Sequence, residues 1–114
     1  MSDTSPITYN HVTAFEGADD FAKKHTPYIT SERDGDNVII TIEVGHEVPH
    51  PNQLDHFIMF VELYVANVPI ARFDFAPTVS WPKVTVECTL PADTRVVATE
   101  HCNLHGVWAY EAIV

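Results

Sequence analysis

No apolar run in this sequence approaches the ~18 residues that a membrane-spanning helix needs, so no helical membrane span is expected. Basic side chains are scarce: six Lys and Arg stand against sixteen Asp and Glu, a formal net charge of −10. That balance disfavours nucleic acid and anionic membranes as partners, and favours solubility and a basic protein partner. Cysteine is limited to Cys88 and Cys102. They could form one disulfide at most, and a reducing compartment argues against it. Covalent haem would need Cys-x-x-Cys-His, which is missing. Methionine is limited to Met1 and Met59. A blue-copper site wants a weak Met ligand; Met1 is the terminus and Met59 lies in an apolar strand, so neither suits. The stretch Met1–Pro6 has neither a basic start nor an apolar segment, so no secretory signal is read and the cytoplasm is the expected compartment. Linkers, low-complexity stretches and internal repeats are also missing.

What is present describes one folded unit. A length of 114 residues leaves room for a single domain, residues 1–114, with enough chain to bury a core. Residues 1–22 are acidic and weakly patterned, with Glu16, Asp19 and Asp20 around Gly17, and read as loop or a short helical turn. After that the period is two. In Asn37–Val44, Val38, Ile40, Ile42 and Val44 share one face, and Asp34-Gly35-Asp36-Asn37 before it carries hairpin chemistry. His56–Val65 is almost wholly apolar and reads as a strand buried on both sides. Arg72–Phe75 is a shorter candidate. Lys83–Leu90 alternates cleanly, and Arg95–His101 and Val107–Val114 complete the set. No convincing amphipathic helix is found. Short strands at this spacing, punctuated by Pro and Gly, predict an all-β, immunoglobulin-like sandwich of about seven strands.

The chemistry concentrates in seven histidines and one of the two cysteines. Three segments place metal-binding side chains in loops at strand ends: Lys23–Pro27 with His25, His46–His56 with His50 and His56, and Cys102–Trp108 with His105. Pro27 makes the chain leave His25 extended, and His50 is restrained between Pro49 and Pro51. Such restraint lowers the entropy lost when a ligand is immobilised. A cysteine thiolate with several imidazoles is a borderline-soft donor set, suited to iron, zinc or copper and unsuited to magnesium or calcium. A Cys-x-x-His step is weak by itself, and a lone histidine in a β protein is usually a surface or satisfied polar residue. His11, His46 and His101 are read that way. Cys88, in an apolar alternation, reads as an inert core residue. Trp108 and Tyr110 serve either as core or as a shield beside the site.

Taken together, the three segments resemble the superoxide reductase family, the catalytic domain shared by neelaredoxin and desulfoferrodoxin. The resemblance rests on Lys24-His25-Thr26-Pro27, on Pro49-His50-Pro51-Asn52 with Asp55-His56, and on Cys102-Asn103-Leu104-His105-Gly106-Val107-Trp108. It runs from about residue 23 to the C-terminus. It implies mononuclear non-haem iron cycling between Fe²⁺ and Fe³⁺, with His25, His50, His56 and His105 equatorial and Cys102 thiolate axial. It implies reduction of superoxide to hydrogen peroxide, a rubredoxin-like electron donor, a homo-oligomer (dimer or tetramer), and Lys24 as the lysine near the open coordination position. An iron- or zinc-binding domain without superoxide turnover is the alternative. Two departures stand out. The family's glutamate, which can occupy the sixth position of oxidised iron, is Lys23 here, and the region between Phe75 and Val84 is short. If Lys23 and Lys24 both point at the metal, their charges raise the local field that attracts superoxide despite the acidic chain.

Overall fold

Val38, Ile40, Ile42 and Val44 point one way along a strand, and folding buries all four almost completely. Each such side chain contributes roughly 1.5–3 kcal/mol by leaving water, so this alternation fixes which face of the strand is the core. The computed structural model describes residues 9–114, and the Met1–Pro6 stretch lies outside them. In chain order its elements are β1 (Tyr9–Val12), α1 (Asp20–His25), β2 (Pro27–Asp34), β3 (Asn37–Val44), β4 (Ile58–Val65), β5 (Val68–Asp74), β6 (Lys83–Thr89), β7 (Arg95–Cys102) and β8 (Gly106–Ile113).

Two sheets form the sandwich, one of five strands in the order β1-β8-β7-β4-β5 and one of three in the order β2-β3-β6. All pairings are antiparallel except β1 with β8. The core lies between them: Val38, Ile40 and Ile42 from one sheet meet Val61, Leu63, Val96 and Ala98 from the other. The expected β-sandwich forms, with eight strands among the described residues because β1 joins the edge of the larger sheet.

The short helical turn expected in the N-terminal stretch is the six-residue helix α1, which runs on to His25; Asp19 caps it by accepting a hydrogen bond from the Ala22 N–H at 2.8 Å. Two expectations are corrected. The strand expected over His56–Val65 starts at Ile58 and is fully buried on one face only, with Met59 exposed on the other. Of the expected Arg72–Phe75, the residues Arg72 to Asp74 are the end of the longer β5, and Phe75 lies just beyond it. No helix among the described residues is long and apolar enough to cross a membrane.

The pairing Pro27↔Val44 in the small sheet and Ile58↔Cys102 in the large one put four strand ends at one end of the sandwich. There, three segments emerge side by side: the end of α1, the long β3–β4 connection and the β7–β8 turn. These are the segments that carry the candidate donors.

Candidate metal centre

His25 closes α1, and the helix holds it. Its Nδ1 lies 2.8 Å from the Phe21 carbonyl, so Nδ1 carries the proton and Nε2 is left with a bare lone pair. Thr26 ends the helix in extended backbone, with its hydroxyl bonded to Ala22 O at 2.7 Å. His50 is fixed in the same manner: Nδ1–H donates to the Pro51 carbonyl at 2.7 Å, and Nε2 sits 3.5 Å from Cys102 Sγ. Fixing one ring nitrogen on a backbone carbonyl orients the other, as metal-binding histidines require.

The four imidazoles of His25, His50, His56 and His105 close a ring. Centroids of successive members are 4.9 Å (His25–His50), 4.8 Å (His50–His56), 5.1 Å (His56–His105) and 5.0 Å (His105–His25), with interplanar angles from 73° to 87°. Cys102 Sγ lies against this ring, 3.5 Å from His50 Nε2 and 3.9 Å from His105 Nδ1. Candidate donor atoms of His25, His56, Cys102 and His105 lie within 4.8 Å of one another. His50 is not in that mutually close set and completes the ring through its contacts with Cys102, His25 and His56.

This arrangement fits a cation. His25 Nε2 and His105 Nδ1 face each other at 3.2 Å, and buried His56 Nε2 has no hydrogen-bond partner. An orphaned buried nitrogen costs free energy unless something pairs with it. A metal ion would satisfy all these atoms at once. Burial favours the neutral form of three imidazoles: it lowers His25 and His50 to about 4, and lowers His56 as well, aided by neighbouring imidazoles and by Lys24. The Cys102 thiol is pushed up by burial, against the opposing backbone N–H groups of Leu104 and His105. A bound cation therefore has to supply the charge that deprotonates it.

The two lysines at the helix end differ. The charge of Lys24 is felt at His25, His50 and His56. Lys23 instead pairs with Glu47 at 3.4 Å and covers the Phe15 ring at 5.2 Å. The ammonium of Lys23 is thus engaged by a carboxylate, which offsets its charge. His11, His46 and His101 lie outside the ring. His46 stacks on Tyr28 at 4.3 Å and bonds Glu43, and His101 stacks on Phe60 at 3.9 Å. Cys88 is half-buried on β6, packed against the core.

Sequence reading missed the residues that hold the loops. The Asn103 carboxamide accepts from Phe57 N and donates to Asp55 O, both at 2.9 Å, and so ties the His56 turn to the His105 turn. Asn52 bonds Thr78 N and Ser80 O, anchoring the loop of His50. Trp108, by contrast, is expected from the sequence as core or as a shield beside the site, and it does stack on His25 at 4.9 Å while donating Nε1–H to the His105 carbonyl. Asn as a turn-stabilising residue is a readable signal; its partners are not. Glu100, also missed, is fully buried on the same face of β7 as Cys102, and burial alone pushes its carboxyl well above the ordinary range.

Residues 17–111 match the sequence profile of the desulfoferrodoxin family. The chain belongs to that family. Among its members, a putative superoxide reductase of Methanocaldococcus jannaschii is 34% identical over 108 residues, covering 90% of this chain and 92% of the relative. The superoxide reductase of Pyrococcus horikoshii is 34% identical, covering 78% of this chain and 85% of the relative. Of solved structures, a superoxide reductase from Nanoarchaeum equitans superposes with a TM-score of 0.73 at 36% identity, covering 81% of this chain and 94% of that one. A reduced superoxide reductase (neelaredoxin) from Archaeoglobus fulgidus gives 0.76 at 28% identity, covering 85% and 93%. Desulfoferrodoxin membership accords with the His/Cys cluster as a metal site.

Proposed function

We propose that this chain is a superoxide reductase, an oxidoreductase that holds mononuclear non-haem iron through His25, His50, His56, His105 and Cys102. The observation that carries the reading is the closed ring of four imidazoles with a buried cysteine sulfur against it. A structural zinc site closes with four donors; here His50 stands beside the four mutually close donors as a fifth candidate. When bound, iron supplies one electron by passing from Fe²⁺ to Fe³⁺, and superoxide with that electron and two protons gives hydrogen peroxide.

The chain's own residues prepare that step. Carbonyl-anchored His25 and His50 present neutral Nε2 atoms without reorganisation. Trp108 and Phe21 pack on the rings and keep water from His25, which is fully buried. Lys24 provides the positive charge that draws the anion across an acidic surface. The electron returns from a rubredoxin-like donor. The protein works in the cytoplasm as a homo-oligomer, dimer or tetramer.

The experiment is metal analysis of protein produced with ample iron, joined to rapid mixing of the reduced protein with superoxide. About one iron per chain and fast peroxide formation support the reading; colourless, zinc-loaded protein without turnover would sink it. Lys24→Ala should slow the second-order reaction, and added salt should slow the wild type more than the variant. Equal salt dependence in both would remove steering by Lys24.

Lys23 yields a separate expectation. Its ammonium has no lone pair to offer a metal and is tied to Glu47. The ferric protein should bind azide readily, and Lys23→Glu should weaken that binding and shift the visible band. A wild type that resists azide, with a spectrum unmoved by Lys23→Glu, would mean another residue occupies the position.

A further inference from the structure

His50 stands on a loop that leaves β3 through Gly45-His46-Glu47, and the backbone of this turn is unusual. Gly45 adopts φ +96° and Glu47 φ +65°, both in the left-handed region that side chains disfavour. A Cβ placed on Gly45 would lie 2.8 Å from the His50 backbone nitrogen, 3.3 Å from Pro49 Cα and 3.5 Å from the Pro49 carbonyl carbon. Contacts under 3.0 Å are essentially never made by real Cβ atoms, and the groups met here are backbone rather than a flexible side-chain end. The loop thus folds back on its own start, and it does so through the absence of a side chain at one position.

We propose that Gly45 is the positioning residue for His50: the close return of the loop over Gly45 sets where the His50 backbone sits, and hence where its Nε2 meets the metal. The rest of His50 leaves little room to compensate. Pro49 and Pro51 restrict the backbone on both sides. The imidazole is pinned by Nδ1 on the Pro51 carbonyl at 2.7 Å, with Nε2 3.5 Å from Cys102 Sγ. A shift of the His50 nitrogen by a few tenths of an ångström, the least a Cβ at Gly45 demands, is carried to Nε2. The turn is held from the far side as well, by Val48 N to His46 O at 2.8 Å and by Glu47 with Lys23 of α1. That ion pair is partly exposed and adds little by itself; the contact over Gly45 is the determinant.

The inference rests on reading His50 as an iron ligand, and the test separates the two. Fe²⁺ is added anaerobically to metal-free Gly45→Ala, Gly35→Ala, His50→Ala and wild type, and affinity is measured together with the visible band and azide binding after oxidation. Gly35 is the control for a positive φ: at +61° it is less strained than Gly45 at +96°, and a Cβ there meets nothing within 4 Å. Both glycine variants should lose thermal stability. Only Gly45→Ala should also bind iron more weakly, by about tenfold or more, with a shifted band and altered azide affinity. Folded Gly45→Ala with the wild-type affinity and band overturns the proposal, as does an equal disturbance in Gly35→Ala. If His50→Ala itself leaves affinity and band untouched, the ligand reading fails first. Should Gly45→Ala not fold, the double variant Gly45→Ala with Pro49→Gly lets the returning backbone move away from the new Cβ. Recovered folding with iron binding still weaker than wild type supports the proposal, and recovered folding with the wild-type affinity and band overturns it.

Discussion

Cys102→Ser should bleach the visible absorption of the oxidised, iron-loaded protein and slow its reaction with superoxide by more than about a hundredfold, judged against the 10–100-fold that losing an outer partner of a ligand already costs. With Cys102 thiolate on ferric iron, such a band would come from charge moving between sulfur and metal, and a serine hydroxyl would offer neither the soft donor nor an accessible anion. Cys102 ends β7 fully buried, with Sγ 3.5 Å from His50 Nε2 and 3.9 Å from His105 Nδ1. Cys88 is the internal control. It sits on β6 opposite Val38, half-buried, with its thiol pushed up by burial alone. Cys88→Ser should keep the band and the rate. A band lost in Cys88→Ser and kept in Cys102→Ser would show the sulfur to be misassigned.

Removing the metal should lower the melting temperature by more than about 10 °C. Binding to the folded state alone stabilises by about 4 kcal/mol when free metal exceeds its dissociation constant a thousandfold, and roughly 1 kcal/mol moves the midpoint of a domain of this size by several degrees. The metal-free protein also keeps costs that the ion removes. His25 is fully buried, and buried His56 Nε2 has no hydrogen-bond partner. Calorimetry before and after chelation, then after return of Fe²⁺, measures the effect. Indistinguishable melting with and without metal would mean that the cluster holds no ion that matters to the fold.

The strands that could be read in the sequence are those whose alternation is strict. Asn37–Val44 was legible to the residue because one face is buried between the sheets and the other is not. β2 was hidden because only its first turn is buried, so Ser31–Asp34 reads as polar loop although Asp34-Gly35-Asp36-Asn37 announces the hairpin. β1 is four residues long at an edge, and α1 is too short to develop a helical period. Only Asp19 as an N-cap and the basic last turn signal α1. β5 begins with exposed Val68 and Pro69 and shifts register against β4, which left only its end visible.

For the site, pattern and resemblance contributed differently. Periodicity located the loops, but nothing in spacing distinguishes His50 from His46, which stacks on Tyr28 four residues earlier. The linked motifs made that choice, and the geometry brings the chosen residues together. The roles of Asn52, Asn103 and Gly45 depend on contacts across the chain, such as Asn103 with Asp55 or Gly45 with the folded-back His50 nitrogen. Lys23 was visible as a departure from the family; its partner Glu47, 24 positions away, was not.

The most direct measurement is the product balance when reduced, iron-loaded protein meets superoxide in rapid mixing, with hydrogen peroxide and dioxygen followed together. The account predicts one hydrogen peroxide for each superoxide consumed, one Fe²⁺ oxidised with it, and no dioxygen released. Dioxygen appearing alongside half as much peroxide would mark dismutation, and iron left ferrous while superoxide decays at its spontaneous rate would mark a metal domain without this activity; either result would contradict the account.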